Sequence, residues 1–331
     1  MHLLPLNLIR YLFVCKVNST LVWLPSFPSI DLSLVLATII ADRLPTVQAR
    51  PWHKALTSWG RNATSRIGKK RLERVPDVFW PIEAVLFPYP GKRTYGQGEL
   101  ILWELKLMGR SADHGLFLEV IMPAMEELGG LVAQWQPPNC LWGRFDIHSV
   151  CVARGPNWEP LVRDGKLDLR YKATPLQWSE GLTFGFHSRC VLDRLTWITP
   201  FDLVKDENRS SQQGKNRTSS CDVPSLRCML DALMIRMSPL VLGKHNNPED
   251  LWGLLGIENQ LSFQDTMELS SHIPILHKEL DSVPWHWPGR LIGTQTFATS
   301  IPDSIMPYLG LASMFHIGRH THFGCGTFRI S

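Results

Sequence analysis

Apolar and polar positions along the chain recur in patterns that name most of its elements. Residues 6–17 (LNLIRYLFVCKV) are apolar and β-prone and predict a strand. Ser29, Ile30 and Asp31 then supply caps for a helix over about 31–43, which Pro45 ends. From Pro51 to Arg74, Trp52 and Trp59 alternate with basic residues, Gly60 and Gly68 divide the stretch and Pro76 stops it, predicting short helices with a wet basic face. In 98–107, Ile101, Trp103, Leu105 and Leu107 share one strand face, with Glu104 and Lys106 on the other. Residues 113–128 place Leu116, Val120, Ile121, Ala124, Met125 and Leu128 on one helical stripe, with Gly129 as the stop, and a strand over 141–151 follows. The order strand, helix, strand, strand, helix, strand is that of a ferredoxin-like βαββαβ unit.

The second half repeats the plan less regularly. A strand at 191–198 runs into Thr199-Pro200, a polar linker occupies 205–220, and a helix at 223–237 turns Leu226, Leu230, Leu233 and Met234 inward. Residues 240–285 give no decisive period. A strand near 290–298, a helix near 302–315 with Ile305, Leu309 and Leu311, a glycine-rich loop and a final strand over 323–330 complete the pattern. The expected fold class is α+β, each half an antiparallel sheet with helices on one face, divided into residues 1–175, with a basic helical insertion near 50–75, and 176–331.

Charge sharpens this picture. The formal net charge is only +4, yet residues 43–74 hold nine Lys or Arg against one acid, Glu73. Such a run suits a polyanion, because cations that neutralise phosphates release counterions; a solvated helix face is the equal alternative. Seven cysteines with no C-x-x-C pair argue against a disulfide framework and a zinc ribbon, and favour a reducing, cytoplasmic compartment. Arg10 and Lys16 interrupt the apolar N-terminal stretch, so it is not read as a signal peptide, and LSLVLATII (32–40) is too short to span a bilayer, so no membrane association is expected.

The segment GRHTHFGCG (318–326) concentrates candidate chemistry. Glycines 318, 324 and 326 let backbone N–H groups approach a phosphate, and Arg319 adds charge. A tight helix-to-strand turn explains the same glycines. His316, His320, His322 and Cys325 are metal-ligand types, but no second Cys/His pair completes a zinc site, so no metal is expected. Nucleotide-binding fingerprints are missing from the sequence, so no cofactor is expected either.

Three segments carry a family resemblance. YLGLASMFHIGRHTHFGCGTFRI (308–330) resembles the C-terminal signature of CRISPR-associated RAMP-superfamily endoribonucleases that cut precursor crRNA: a helix, a hydrophobic-Gly-basic loop, a Phe-Gly-x-Gly turn and a last strand. Residues 95–130 with LWGRFDIHSV (141–150) are similar to the family's Gly-Glu strand, helix and Gly-Arg-Phe strand. LTWITPFDLV (195–204) resembles the strand that opens the family's second domain.

The resemblance implies tandem ferredoxin-like domains and metal-independent cleavage at the base of a repeat hairpin. In that reaction the RNA 2′-OH attacks the adjacent phosphodiester, leaving a 2′,3′-cyclic phosphate and a 5′-OH. It also implies crRNA and other CRISPR effector subunits as partners, or, if catalysis is lost, a purely RNA-binding subunit. The family often carries a catalytic histidine in or beside its first helix, whereas residues 18–45 here have none. His53 is the first candidate for proton transfer, with Arg43 or Arg50 stabilising charge; His320 and His322 come second and His187 third. Lys54, Arg61, Arg66, Lys69, Lys70, Arg71 and Arg74, interleaved with Trp52 and Trp59, are expected to contact an RNA stem, as are Gly318, Arg319, His320, Thr321, His322, Gly324 and Gly326 of the loop.

Overall fold

A computed structural model describes residues 6–64, 80–89, 91–130, 140–182, 192–203, 223–241, 251 and 257–331. The linker expected over 205–220, His187, and Arg66, Lys69, Lys70, Arg71 and Arg74 of the basic run lie outside the described residues. The chain forms two compact bodies, Pro5–Leu182 with His322–Gly324, and Thr183–Thr321 with Cys325–Ser331. Among the described residues no helix is long and apolar enough to cross a membrane.

The first body is built on β1 (Leu8–Val17), β3 (Ala84–Pro88), β5 (Leu100–Met108), β6 (Phe145–Arg154), β7 (Asn157–Arg163) and β8 (Lys166–Leu167), in the antiparallel order β3-β5-β1-β6-β7-β8. Its first four strands have the ferredoxin-like arrangement, the hairpin β3-β5 on one side of β1 and β6 on the other. Alternation along β1 buries Ile9, Tyr11, Phe13, Cys15 and Val17, and Phe13 pairs across to Trp103. These side chains share a core with Leu32, Leu36 and Ile40 of α1 (Pro28–Arg43) and Met125 and Leu128 of α4 (Met122–Gly130). A two-stranded ribbon, β2 (Leu21–Trp23) with β4 (Thr94–Gly96), completes this body's sheets.

Several local expectations are corrected. Helix α1 starts at Pro28, with Phe27 as N-cap and no side-chain capping bond, because a phenyl ring offers no acceptor; proline suits the first helical position, where its fixed φ is already helical and no N–H is left unpaired. Asp31 lies in the first turn, where the helix dipole favours an acid. The basic stretch begins as one 19-residue helix, α2 (Thr46–Thr64), which runs through Pro51 and Gly60. Its buried residues Ala49, Trp52 and Ala55 form a continuous inward stripe, and that burial overrides the local breakers. Glu104 and Lys106 do share a strand face, but that face is covered: they are 2% and 4% exposed.

The helix after β5 contains a π turn. Helix α3 (His114–Leu116) passes through Phe117–Ile121 into α4 with one extra residue in the turn. The inward stripe consequently starts at Phe117, with Ile121 and Met122, while Leu116 and Val120 are only half-buried. Gly129 does not end the helix. A Cβ there would lie 2.7 Å from the Phe145 carbonyl oxygen, so the glycine permits close approach of α4 to β6.

The second body repeats the topology: β9 (Arg194–Phe201), α5 (Leu226–Met237), α6 (Ile257–Ser271), β10 (Ile275–Ser282), β11 (Leu291–Phe297), α7 (Met306–Phe315) and β12 (Phe328–Ile330), with antiparallel strand order β10-β11-β9-β12. Again the hairpin pairs beside the first strand and the last strand takes its other edge. Ser225 caps α5, its hydroxyl accepting from the Cys228 N–H at 3.2 Å. Leu226, Leu230 and Leu233 are buried in this body with Trp197, Phe297, Leu309, Phe315 and Phe328. The last strand starts at Phe328 rather than 323, because residues 321–323 form a 3-10 turn and Gly324 and Gly326 have positive φ.

Candidate nucleic-acid interface

Helix α2 separates its residues cleanly by face. At 100° per residue, Arg50, His53 and Lys54 fall within an arc of about 100° opposite Trp52, and all three are exposed. His53 has no hydrogen-bond partner among the described residues. Arg61 falls in the last turns of the same helix. Arg43 stands apart, at the end of α1, where its Nη1 donates to Glu127 Oε2 of α4 at 2.8 Å. The predicted catalytic set is therefore only partly assembled: Arg50 and His53 share a face, and Arg43 is engaged by a carboxylate.

The glycine loop is held to the end of β9 by its own backbone. Ile317 N–H donates to the Gly326 carbonyl at 3.0 Å, Gly326 N–H to the Pro200 carbonyl at 2.9 Å, and Arg319 N–H to the Asp202 carbonyl at 2.9 Å. A Cβ on Gly326 would stand 1.9 Å from the Ile317 carbonyl oxygen, and one on Gly318 2.6 Å from that of Asp202, so both positions demand glycine for close backbone approach. The loop is thus a tight helix-to-strand turn whose Arg319 side chain is exposed, while His320 and Thr321 are buried.

The loop histidines do not converge. His316 is fully buried and its Nδ1 donates to the Cys325 carbonyl at 3.1 Å. Burial pushes the Cys325 thiol well above its ordinary range. His322 and Gly324 belong to the first body, where the His322 ring meets Trp80 edge-on at 6.1 Å. Among the described residues no group of three or more His, Cys, Asp or Glu side chains is placed to hold a metal ion.

Two polar networks in the first body escaped the sequence reading. Arg10 Nε donates to Glu104 Oε1 at 2.5 Å, Tyr89 hydroxyl to Glu104 Oε2 at 2.9 Å, and the Arg10 guanidinium lies 5.1 Å from the Trp158 ring centroid. Burial alone would raise the Glu104 carboxyl, but Lys106, Arg10 and the hydrogen bonds outweigh it and hold it below its ordinary value. In the second network Tyr11 hydroxyl bonds His114 Nδ1 at 3.0 Å, and His114 Nε2 bonds the Tyr171 carbonyl at 3.2 Å. Tyr171 hydroxyl donates to Glu159, which pairs with Arg154 at 2.9 Å. Burial lowers the His114 imidazole below its ordinary value. The sequence pattern gave no hint of the contacts that tie each network together, since Arg10 and Glu104 are 94 residues apart and Tyr11 and His114 103.

No protein-family model and no curated protein matches the chain. Solved structures do. A chain of a partial Cas6-RT-Cas1–Cas2 complex matches at 12% identity with a TM-score of 0.51, over 99% of this chain and 47% of the other. The fold is Cas6-like. A second chain, from a Cas6-RT-Cas1–Cas2 complex, matches with the same identity and TM-score over 99% of this chain and 29% of the other. Cas6 of Thermus thermophilus is matched at 12% identity over 98% of this chain and 99% of its own, with a TM-score of 0.44. The chain therefore spans about half or less of the two RT-containing chains it resembles. The Cas6-like fold agrees with the two ferredoxin-like sheets seen in the topology.

Proposed function

We propose that the chain is an endoribonuclease that cuts precursor crRNA at the base of a repeat stem-loop without a metal ion and stays bound to its product among CRISPR effector subunits. The observation that carries this reading is the exposed face of α2, where Arg50, His53 and Lys54 stand together on a Cas6-like fold. In the proposed reaction the 2′-oxygen bonds to phosphorus as the bond from phosphorus to the 5′-oxygen breaks. One group takes the 2′-OH proton, another gives a proton to the leaving oxygen, and the products are a 2′,3′-cyclic phosphate and a 5′-OH. His53 is assigned proton transfer and Arg50 the developing phosphorane charge, with Arg43 as the alternative cation. Lys54, Arg61, Arg66, Lys69, Lys70, Arg71 and Arg74 are assigned the stem's phosphates. Gly318, Arg319, His320, Thr321, His322, Gly324 and Gly326 form the second contact. The reading divides the chain near residue 175.

Purified protein incubated with labelled repeat RNA in EDTA should cut at one site, and a 2′-deoxy nucleotide at that site should stop it. His53→Ala should slow cutting by about 10²-fold or more while binding is kept. Cleavage at the wild-type rate removes His53 from the site. A second reading, an RNA-binding subunit without catalysis, is favoured by the lack, among the described residues, of any side chain hydrogen-bonded to His53; tight hairpin binding with no product supports it.

A further inference from the structure

The N–H groups of Ile317, Arg319 and Gly326 in the glycine loop are all taken by carbonyls of the second body. The loop therefore reaches a phosphate chiefly through its exposed cation, Arg319. A second loop docks on the same strand end. Residues 283–290 (VPWHWPGR) join β10 to β11: Val283 N–H donates to the Arg290 carbonyl at 3.0 Å, Trp287 N–H to that of Pro284 at 2.9 Å, and Arg290 N–H to that of Phe201 at 2.9 Å. Gly289 has a φ of +86°, and a Cβ there would stand 2.8 Å from Pro200 Cβ, so the loop lies directly on the end of β9. Arg290 and Arg319 are thus each one backbone hydrogen bond from the adjacent residues Phe201 and Asp202, and both side chains are exposed.

At the tip of this second loop, Trp285 is 53% exposed although the loop is tied down at its base. The exposed His286 ring stands edge-on to Trp285 at 5.3 Å and to Trp287 at 6.4 Å. An indole held out in water by an ordered loop loses little freedom when a flat partner lands on it. Single strands of nucleic acid are held by aromatic faces that stack on bases and by cations that follow the backbone. The two loops supply both, and neither 283–290 nor 316–326 contains an acid. Asp202, the acid where they meet, is only 8% exposed. That charge pattern complements a polyanion better than a protein surface of mixed charge. Bases inside a stem are already stacked on one another, so the free indole suits an unpaired one.

We infer that this end of the second body clamps the single-stranded flank of the RNA, one unpaired base stacking on Trp285 while neighbouring phosphates meet Arg290 and Arg319. The inference rests on the proposed RNA substrate and names a part of it, outside the stem, with the residues that hold it. The test is equilibrium binding of a repeat hairpin that keeps its single-stranded flanks and of the same hairpin trimmed to its stem-loop. Wild-type protein should bind the flanked RNA about ten-fold or more tightly than the trimmed one. Trp285→Ala should lose roughly five- to hundred-fold on the flanked RNA and nothing on the trimmed one, while Trp285→Phe keeps most of the affinity. Arg290→Ala and Arg319→Ala should each reduce the log–log salt slope by about 0.7 on the flanked RNA alone. A Trp285→Ala loss that is equal on both RNAs, or absent from both, overturns the clamp and leaves the RNA reading standing; absence from both is the result a protein-docking tip would give. Salt slopes that neither arginine variant changes overturn it as well. A wild-type protein that binds no hairpin overturns both readings.

Discussion

Replacing Glu104 by glutamine should be among the most damaging isosteric changes in the first body. The carboxylate is 2% exposed and accepts from Arg10 and Tyr89, with Lys106 two residues along the same strand face. Glu104→Gln keeps the shape and one carbonyl but leaves a buried guanidinium without its counter-charge. Breaking a buried pair from one side costs about 3–5 kcal/mol. At about 2–4 °C per kcal/mol for a body of this size, the melting temperature should fall by roughly 6–20 °C at pH 7, read by tryptophan fluorescence. The pH dependence gives an independent check. The folded-state pKa of Glu104 is held below its ordinary value of 4.5, so its stabilisation is fully present above that value and is lost as the pH falls through the folded one. Wild type and variant should therefore converge in acid. Replacing both partners, as Arg10→Met with Glu104→Leu, should recover part of the loss, since matched apolar groups substitute well for a buried pair. A fall under 2 °C at pH 7, or a gap that persists undiminished at pH 3, would refute the assignment of a charged Glu104 to this network.

Gly326→Ala should destabilise the second body by more than about 3 kcal/mol, because the new methyl would sit 1.9 Å from the Ile317 carbonyl oxygen at a φ of +84°; an unfolding midpoint like that of the wild type would mean the turn is looser than described. His114 is neutral in its network, and the unfolded chain protonates first, so a share of stability should decline as the pH falls below 6.5. That share should disappear in His114→Gln, measured as the pH slope of the urea midpoint. Hairpin affinity should fall steeply with salt, and Arg50→Ala and Lys54→Ala should each reduce the log–log slope by about one; an unchanged slope removes that residue from the phosphate contacts.

Periodicity was informative where one face of an element meets a core. The alternation of β1, and of Ile101, Trp103, Leu105 and Leu107 in β5, placed both strands, and the α5 stripe placed its helix. Strand β10 was missed because ILHKELDS is an edge strand with nearly every residue exposed or half-exposed, so no core imprints a period on it. Helix α6 was missed for a related reason: only a few of its residues, Phe263, Thr266, Met267 and Ser270, are buried, and two of these are polar. The site was legible by composition more than by geometry. The basic face around His53 could be read from residue types, but the engagement of Arg43 by Glu127 depends on residues brought together only by folding. The glycine loop was read for its N–H groups, yet its bonds to Pro200 and Asp202 belong to a strand more than a hundred residues earlier.

The π turn at Phe117–Ile121 has a bearing on how this helix tolerates change. It holds one residue beyond what regular winding needs, so the segment before it and the segment after it follow separate phases. His114 keeps its place beside Tyr11, and Phe117 stacks on the same ring at 3.6 Å, while α4 presents Met125 and Leu128 to the sheet on its own register. Losing one residue there would merge the two phases and swing His114 by about 100° around the axis. The extra residue therefore works as a phase adjuster, letting one continuous helix satisfy a polar contact at its start and an apolar seam along its length.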